Sequence, residues 1–312
     1  MSLSPDLIIR TNKLSRYYGD VAAVVDLDLT VHRGEVFGFL GPNGAGKTTT
    51  IRTLLNFIHP TSGSATIFGQ DSVRDGPALR AQIGYLPSEF TLLDNWTGVQ
   101  YIQWLGEAYA TDSLAEAQRL SALLEFDLAR ALKGMSSGMK RKMGIVAALA
   151  HKPDLLILDE PSSGLDPLMQ QVFRDLIREV RAEGRTVFLS SHNLPEVEHI
   201  CDRVGIIRDG RLQAVETIAD LTRVAFRWVT FSFDGRVPCE EFVALSGVTD
   251  VTVEAGDLQM KVSGDADMRA IIRQAADTGA VNVDIVHPSL EEIFLTYYGE
   301  TNPREASDDD HF

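Results

Sequence analysis

One stretch of this chain restricts its fold more than any other: Gly41-Pro42-Asn43-Gly44-Ala45-Gly46-Lys47-Thr48, which fits the spacing G-x-x-x-x-G-K-[ST]. The apolar run Val36-Phe37-Gly38-Phe39-Leu40 leads into it and reads as a buried strand. The pattern from Thr48 to Phe57 that follows fits a helix stopping near Pro60. Glycines let backbone N–H groups converge on phosphate oxygens, and the dipole of the following helix favours the same anion. A glycine-rich turn that merely precedes a helix is the plainer alternative, but strand, turn and helix stand here in the order a phosphate loop requires. The run therefore predicts nucleotide binding through Gly41, Pro42, Asn43, Gly44, Ala45, Gly46, Lys47, Thr48 and Thr49. Lys47 would reach the β- and γ-phosphates, and the Thr48 hydroxyl would join a Mg2+ shell.

Two further segments offer chemistry to such a loop. Leu155-Leu156-Ile157-Leu158-Asp159-Glu160 reads as a buried strand ending in two carboxylates. Asp159 is placed to reach Mg2+, directly or through water. Glu160 is the candidate catalytic base for the water that attacks the γ-phosphate. By itself an Asp-Glu-Pro sequence is as readily an acidic turn. Ser190-Ser191-His192 follows another apolar run, and His192 at that strand end could contact the γ-phosphate and the attacking water. The other histidines, His32, His59, His151, His199, His287 and His311, carry no assigned chemistry.

Composition narrows the classes. With 29 basic and 44 acidic side chains the net charge is -15, a poor footprint for a general nucleic-acid binder, so no specific nucleic acid is expected as a partner. The 312 residues, 44% of them apolar, suffice for two domains. Cys201 and Cys239 match no metal spacing and read as reduced thiols. Neither a secretory signal nor an apolar run of the ~20 residues needed to span a bilayer is visible, so a soluble chain is expected.

Val24 to Val31 alternates as a half-buried strand. The apolar runs at 155–158, 186–189 and 204–207 read as central parallel strands separated by helical patterns, notably Leu168 to Glu183. Between about Thr97 and Lys133 the chain reads as an inserted helical part. Beyond about 220, strand-like runs at 226–233, 248–253, 257–262 and 281–286 surround a helical stretch at 266–278, enough for a second small α/β domain. The tail, 302–312, holds Asp308-Asp309-Asp310 and reads as disordered.

Taken together, these residues resemble the nucleotide-binding subunit of an ABC transporter, over roughly Leu7 to Gln213. Met135-Ser136-Ser137-Gly138-Met139 is similar to the family's signature loop, with Ser136 lying 23 residues before Asp159. Ser163-Gly164-Leu165-Asp166 resembles its aspartate loop, His192 its switch histidine, and Tyr18, or the adjacent Tyr17, its adenine-stacking aromatic. The resemblance implies an α/β P-loop NTPase of ABC type with an antiparallel β subdomain and a helical subdomain, plus a small C-terminal α/β domain. Its implied bounds are 1–220 (helical part about 90–135), 221–301 for the accessory domain, and 302–312 for the tail. It further implies ATP and Mg2+ as cofactors. A head-to-tail homodimer would place Ser136 and Gly138 of one subunit at the other's nucleotide, Asp166 is implied as a further nucleotide-binding residue, and integral-membrane permeases would hold the chain at the cytoplasmic face of the cell membrane.

Three departures stand out. Ser137 and Met139 replace a commoner glycine and glutamine, and Ser88 in Tyr85-Leu86-Pro87-Ser88-Glu89 stands where the family often has a glutamine that senses Mg2+. Ser88, or Glu89 beside it, would have to take that part. Phe90, Leu92, Leu93 and Trp96 read either as permease docking material or as core. Pro288-Ser289-Leu290-Glu291-Glu292-Ile293-Phe294-Leu295 is similar to the ending of exporter ATPases with an accessory domain, where Leu290, Ile293 and Phe294 would close that domain's core. Export is therefore the expected work. The alternative is a soluble ABC-type ATPase in nucleic-acid or translation-related work.

Overall fold

A strand buried on both faces reads as a near-continuous apolar run, and Val36–Leu40, all apolar or glycine, is buried at all five residues. The computed structural model describes residues 6–90, 95–224, 226–235, 237–254, 256–286 and 288. Contacts divide the chain into two units, Met1–Glu216 and Thr217–Phe312. In the first unit the order is β1 (Leu7–Tyr18), β2 (Val21–Leu27), β3 (Thr30–His32), β4 (Val36–Leu40), α1 (Lys47–Leu54), β5 (Ser62–Ile67), β6 (Gln70–Asp71), α2 (Gly76–Arg80), β7 (Ile83–Leu86), α3 (Gly98–Tyr109) and α4 (Leu114–Leu123). Then follow α5 (Ser137–Leu149), β8 (Leu155–Asp159), α6 (Pro167–Ala182), β9 (Thr186–Ser191), α7 (Leu194–Ile200), β10 (Arg203–Arg208) and β11 (Arg211–Thr217).

Six strands form the central sheet in the order β11-β10-β4-β9-β8-β7, and from β10 to β7 every neighbouring pair is parallel. This register brings the ends of β4, β8 and β9 side by side, which is where the glycine loop, Asp159 and Ser191 emerge. Phe37 and Phe39 of β4 both pack on Phe188 of β9, at ring-centroid distances of 5.8 and 5.5 Å. The loop is thus mounted on a close-packed base.

A second sheet, β2-β1-β5-β6 with β3 also on β1, is antiparallel and shares its core with the first. The single strand expected over Val24 to Val31 is broken into β2 and β3. The Thr11 hydroxyl donates to Leu27 O at 2.7 Å and accepts from Leu29 N at 2.8 Å, and Asp28 Oδ1 accepts from Lys13 N at 2.8 Å. The side-chain alternation survives the break, with Leu27, Leu29 and Val31 all buried. Helix α1 likewise ends earlier than expected, at Leu54, because Asn56 adopts φ 55 and leaves the helical region.

The expected helical part contains α3 and α4. α3 opens on a reciprocal cap in which Thr97 Oγ1 accepts from Gln100 N and Gln100 Oε1 accepts from Thr97 N. α6 buries Met169, Phe173, Leu176, Ile177 and Val180 along one stripe and starts at Asp166 with Pro167 in its first turn. Phe90 and Trp96 are half-buried in an aromatic group with Tyr101 and Trp104, and the most exposed ring is Trp104, at 47%. Leu92 and Leu93 lie outside the described residues.

The second unit comprises α8 (Ile218–Val224), β12 (Phe226–Phe233), α9 (Cys239–Val243), β13 (Val248–Glu254), β14 (Asp257–Ser263), α10 (Met268–Asp277) and β15 (Ala280–Val286). Its strands form an antiparallel sheet, β13-β14-β12-β15. Val229, Phe231, Leu258, Met260 and Val262 pack with Phe242 of α9 and Ile271 of α10. Leu290, Ile293 and Phe294, His287 and His311, and the acidic tail lie outside the described residues. Both cysteines are free, and no helix among the described residues is long and apolar enough to cross a membrane.

Candidate active site

β4 delivers the chain into a turn with no room for side chains at two of its glycines. A Cβ on Gly41 would stand 2.3 Å from the Ile207 carbonyl oxygen, and one on Gly46 would stand 2.3 Å from that of Ala23. Gly46 also has φ 106, so only glycine fits comfortably where the turn passes into α1. Gly41 N donates to Ser191 O at 3.4 Å, so the loop leans on the end of β9.

Lys47, the first residue of α1, is 6% exposed and folds back over the turn. Its ammonium donates to Gly41 O at 2.6 Å and Pro42 O at 3.1 Å and pairs with Glu160 Oε1 at 3.2 Å. Glu160 Oε2 lies 2.7 Å from His192 Nδ1. Lys47, Glu160 and His192 thus form one chain of contacts across the mouth of the glycine loop, although Glu160 follows Lys47 by more than a hundred residues. Glu160 stands at φ 51, a left-handed conformation that a glutamate rarely adopts. Its amide donates to Ser190 O at 3.2 Å and Ser190 Oγ at 3.1 Å, which helps hold that turn.

Asp159 is fully buried at the end of β8. Its Oδ1 accepts from Ser190 Oγ at 2.5 Å, while Oδ2 has no hydrogen-bond partner. A buried carboxylate oxygen without a partner is costly unless a cation answers it, so this oxygen fits a hard metal ion such as Mg2+. Thr48 is half-buried in the first turn of α1. Nearby, burial and the Asp159 charge push the Tyr85 hydroxyl up to about 12, leaving it a neutral donor. Ser88 is half-buried, and its carbonyl accepts from Arg141 Nη2 at 2.5 Å, while Glu89 is exposed.

Ser136, Gly138 and Asp166 belong to a separate group. Ser136 is the exposed N-cap of α5 and accepts from Met139 N at 3.3 Å. A Cβ on Gly138 would stand 2.9 Å from Gly164 O, so the start of α5 lies against the turn before α6. Asp166 caps α6 through Oδ1 and Met169 N at 3.0 Å. Among the described residues no hydrogen bond or ion pair joins these three to Lys47, Glu160 or His192. Tyr17 and Tyr18 lie at the exposed end of β1, and the Arg16 guanidinium sits 4.6 Å from the Tyr18 ring centroid.

Sequence reasoning passed over Ser190 and Arg141. Ser190 opens Ser190-Ser191-His192, but nothing local shows that its hydroxyl faces Asp159. Arg141 falls in the basic run Lys140-Arg141-Lys142, which reads as a solvated helix face, yet it is 7% exposed. The unassigned His151 is half-buried with its ring stacked on Tyr109 at 4.1 Å, and burial brings it down to about 4.

The family model described as "ABC transporter" matches residues 24–163. The linearmycin resistance ATP-binding protein of Bacillus subtilis is 30% identical over 308 residues, covering 94% of this chain and 99% of that protein. The daunorubicin resistance ATP-binding protein of Streptomyces coeruleorubidus is 33% identical over 313 residues, covering 95% and 97%. The Nod factor export ATP-binding protein I of Cupriavidus pinatubonensis is 38% identical over 209 residues, covering 65% of this chain and 64% of that protein's length. Among solved structures, the ATP-binding subunit of an ABC transporter is 33% identical with a TM-score of 0.63, covering 69% of this chain and 92% of that one.

Proposed function

This chain belongs to the ABC transporter family of ATP-binding subunits, and on that premise we propose that it hydrolyses ATP to power export through a separate membrane permease. The observation that carries the chemistry is the line Lys47–Glu160–His192 across the glycine loop. The β- and γ-phosphates of ATP, drawn to the loop N–H groups and the α1 terminus, compete with Glu160 for the Lys47 ammonium. As Lys47 turns to the phosphates, Glu160 Oε1 is released to accept a proton from the attacking water. His192 holds Oε2 through Nδ1, so the carboxylate keeps its direction while its other oxygen works.

Thr48, Asp159 and Ser88 are the residues that would hold Mg2+. When bound, that ion would offset the charge of the phosphate oxygens. Support comes from the unpartnered Oδ2 of Asp159. Tyr18 is the better candidate than Tyr17 for the adenine, since Arg16 already covers one face of its ring and leaves the other for stacking. Ser136 and Gly138, grouped with the turn before Asp166 and not bonded to this chain's own Lys47, support a head-to-tail homodimer in which each signature end closes the partner's site. Docking on the permease would put the chain at the cytoplasmic face of the membrane.

The direction of transport follows from relatives whose names specify resistance to linearmycin or daunorubicin, or export of Nod factor. Glu160→Gln in the purified chain is expected to lower ATP turnover at least about 100-fold while nucleotide affinity stays within about threefold. Unchanged turnover would remove Glu160 from its role. Recovery of the full chain with a multispanning membrane protein, and its loss after detergent stripping, tests the partner.

A further inference from the structure

We propose that Arg141 is a positioning residue that ties the ATP site to the Ser88 loop, so that the two respond to nucleotide together with the helix carrying Ser136 and Gly138. This rests on the ATP-hydrolysis reading above. Arg141 lies one turn into α5, and its guanidinium reaches three carbonyl oxygens on two other segments. Nη1 donates to Pro87 O at 2.9 Å and to Asp159 O at 3.4 Å, and Nη2 donates to Ser88 O at 2.5 Å. One planar fork therefore clamps the end of β8, from which Asp159 and Glu160 project, to the loop after β7.

Three features argue that the clamp is more than core packing. First, the side chain is 7% exposed, and among the described residues its guanidinium makes its hydrogen bonds to backbone carbonyls and no ion pair. A buried cation without a directly bonded carboxylate is a poor choice for stability, since an apolar side chain would fill the same space at less cost. Second, the β8 carbonyl that Nη1 reaches is that of Asp159 itself, next to Glu160, so the clamp is fastened to the backbone that carries the two carboxylates of the ATP site. Third, the clamp holds Ser88 by its backbone. The short side chain at 88 then need not touch the metal for its loop to follow the site. A lysine could keep the charge, but its ammonium cannot span both segments with the same fork.

The test uses the full chain and MgATP, with hydrogen exchange followed segment by segment in a Glu160→Gln background, alone and combined with Arg141→Met or Arg141→Lys. MgATP should protect 41–48 in all three chains to within about twofold. It should also change exchange in 83–90 and 135–143 together when Arg141 is present. In both Arg141 variants the response at 83–90 should disappear. In chains that keep Glu160, the same substitutions should lower kcat about tenfold with KM for ATP within about twofold.

An equal response at 83–90 in the Arg141 variants overturns the proposal, as does a rise in KM with kcat unchanged. Should Arg141→Met not fold, the lysine variant alone decides between these results. Absence of protection at 41–48 with Arg141 intact would instead overturn the nucleotide-site reading, and the proposal with it.

Discussion

Removal of one buried hydroxyl should report on how the Asp159 carboxylate is held at the end of β8. In Ser190→Ala, Asp159 Oδ1 loses its 2.5 Å donor while Oδ2 already has no hydrogen-bond partner, so both oxygens of a fully buried carboxylate become unpaired. The amide of Glu160 loses Ser190 Oγ but keeps Ser190 O at 3.2 Å, so the cost falls mainly on Asp159. A hydrogen bond to a charged group contributes about 1.5–3 kcal/mol, so the folded-to-unfolded ratio should drop on the order of 10–100-fold. The assay is urea unfolding in EDTA, followed by the fluorescence of Trp96 and Trp104 in a Trp228→Phe background, so that the first unit alone is reported. Repeating it with Asp159→Asn completes a double-mutant cycle. In the Asp159→Asn background, where the partner is neutral, Ser190→Ala should cost only about 0.5–1.5 kcal/mol. With Mg2+ and ATP added, the deficit of Ser190→Ala alone should shrink, because a cation gives Asp159 a new partner. Two results would refute the account of a cation-seeking carboxylate. One is a loss under about 0.5 kcal/mol in EDTA; the other is the same cost with and without Asp159→Asn, together with no effect of Mg2+.

Two further outcomes follow from single residues. Gly46→Ala places a Cβ 2.3 Å from Ala23 O at φ 106, and the turn must shift to admit it; ATP affinity by equilibrium dialysis should fall more than about tenfold. His151 is lowered by burial from 6.5 to about 4, so the unfolded chain takes up a proton that the folded chain refuses. Its contribution to stability is therefore intact above pH 6.5 and lost progressively as pH falls toward about 4. His151→Phe, which keeps a ring against Tyr109, should make the difference in urea midpoint between about pH 7 and about pH 5 smaller than in the parent chain.

The glycine loop was legible because its meaning is local: contiguous residues set the backbone path, and a helix must follow directly. Asp159 and Glu160 were legible only beside that loop, since a buried strand ending in Asp-Glu-Pro is by itself as readily an acidic turn. His192 needed the resemblance, because one imidazole after a strand has no chemistry of its own until Glu160 is 2.7 Å away. The break between β2 and β3 was hidden because burial keeps its alternation through it, and the hydroxyl that stitches it belongs to Thr11 on another strand.

The sequence alone determined that a strand, a glycine turn and a helix stand in the order a phosphate loop requires, with two carboxylates and a histidine as candidate partners. Tertiary structure decided which atoms serve one another. Parallel pairing of β4, β9 and β8 sets Lys47 against Glu160, turns Ser190 toward Asp159, and leaves one carboxylate oxygen without a hydrogen-bond partner. It also drew Arg141 out of a basic run and into the interior. A charge pattern along one helix carries no record of the carbonyls that other segments will bring to it.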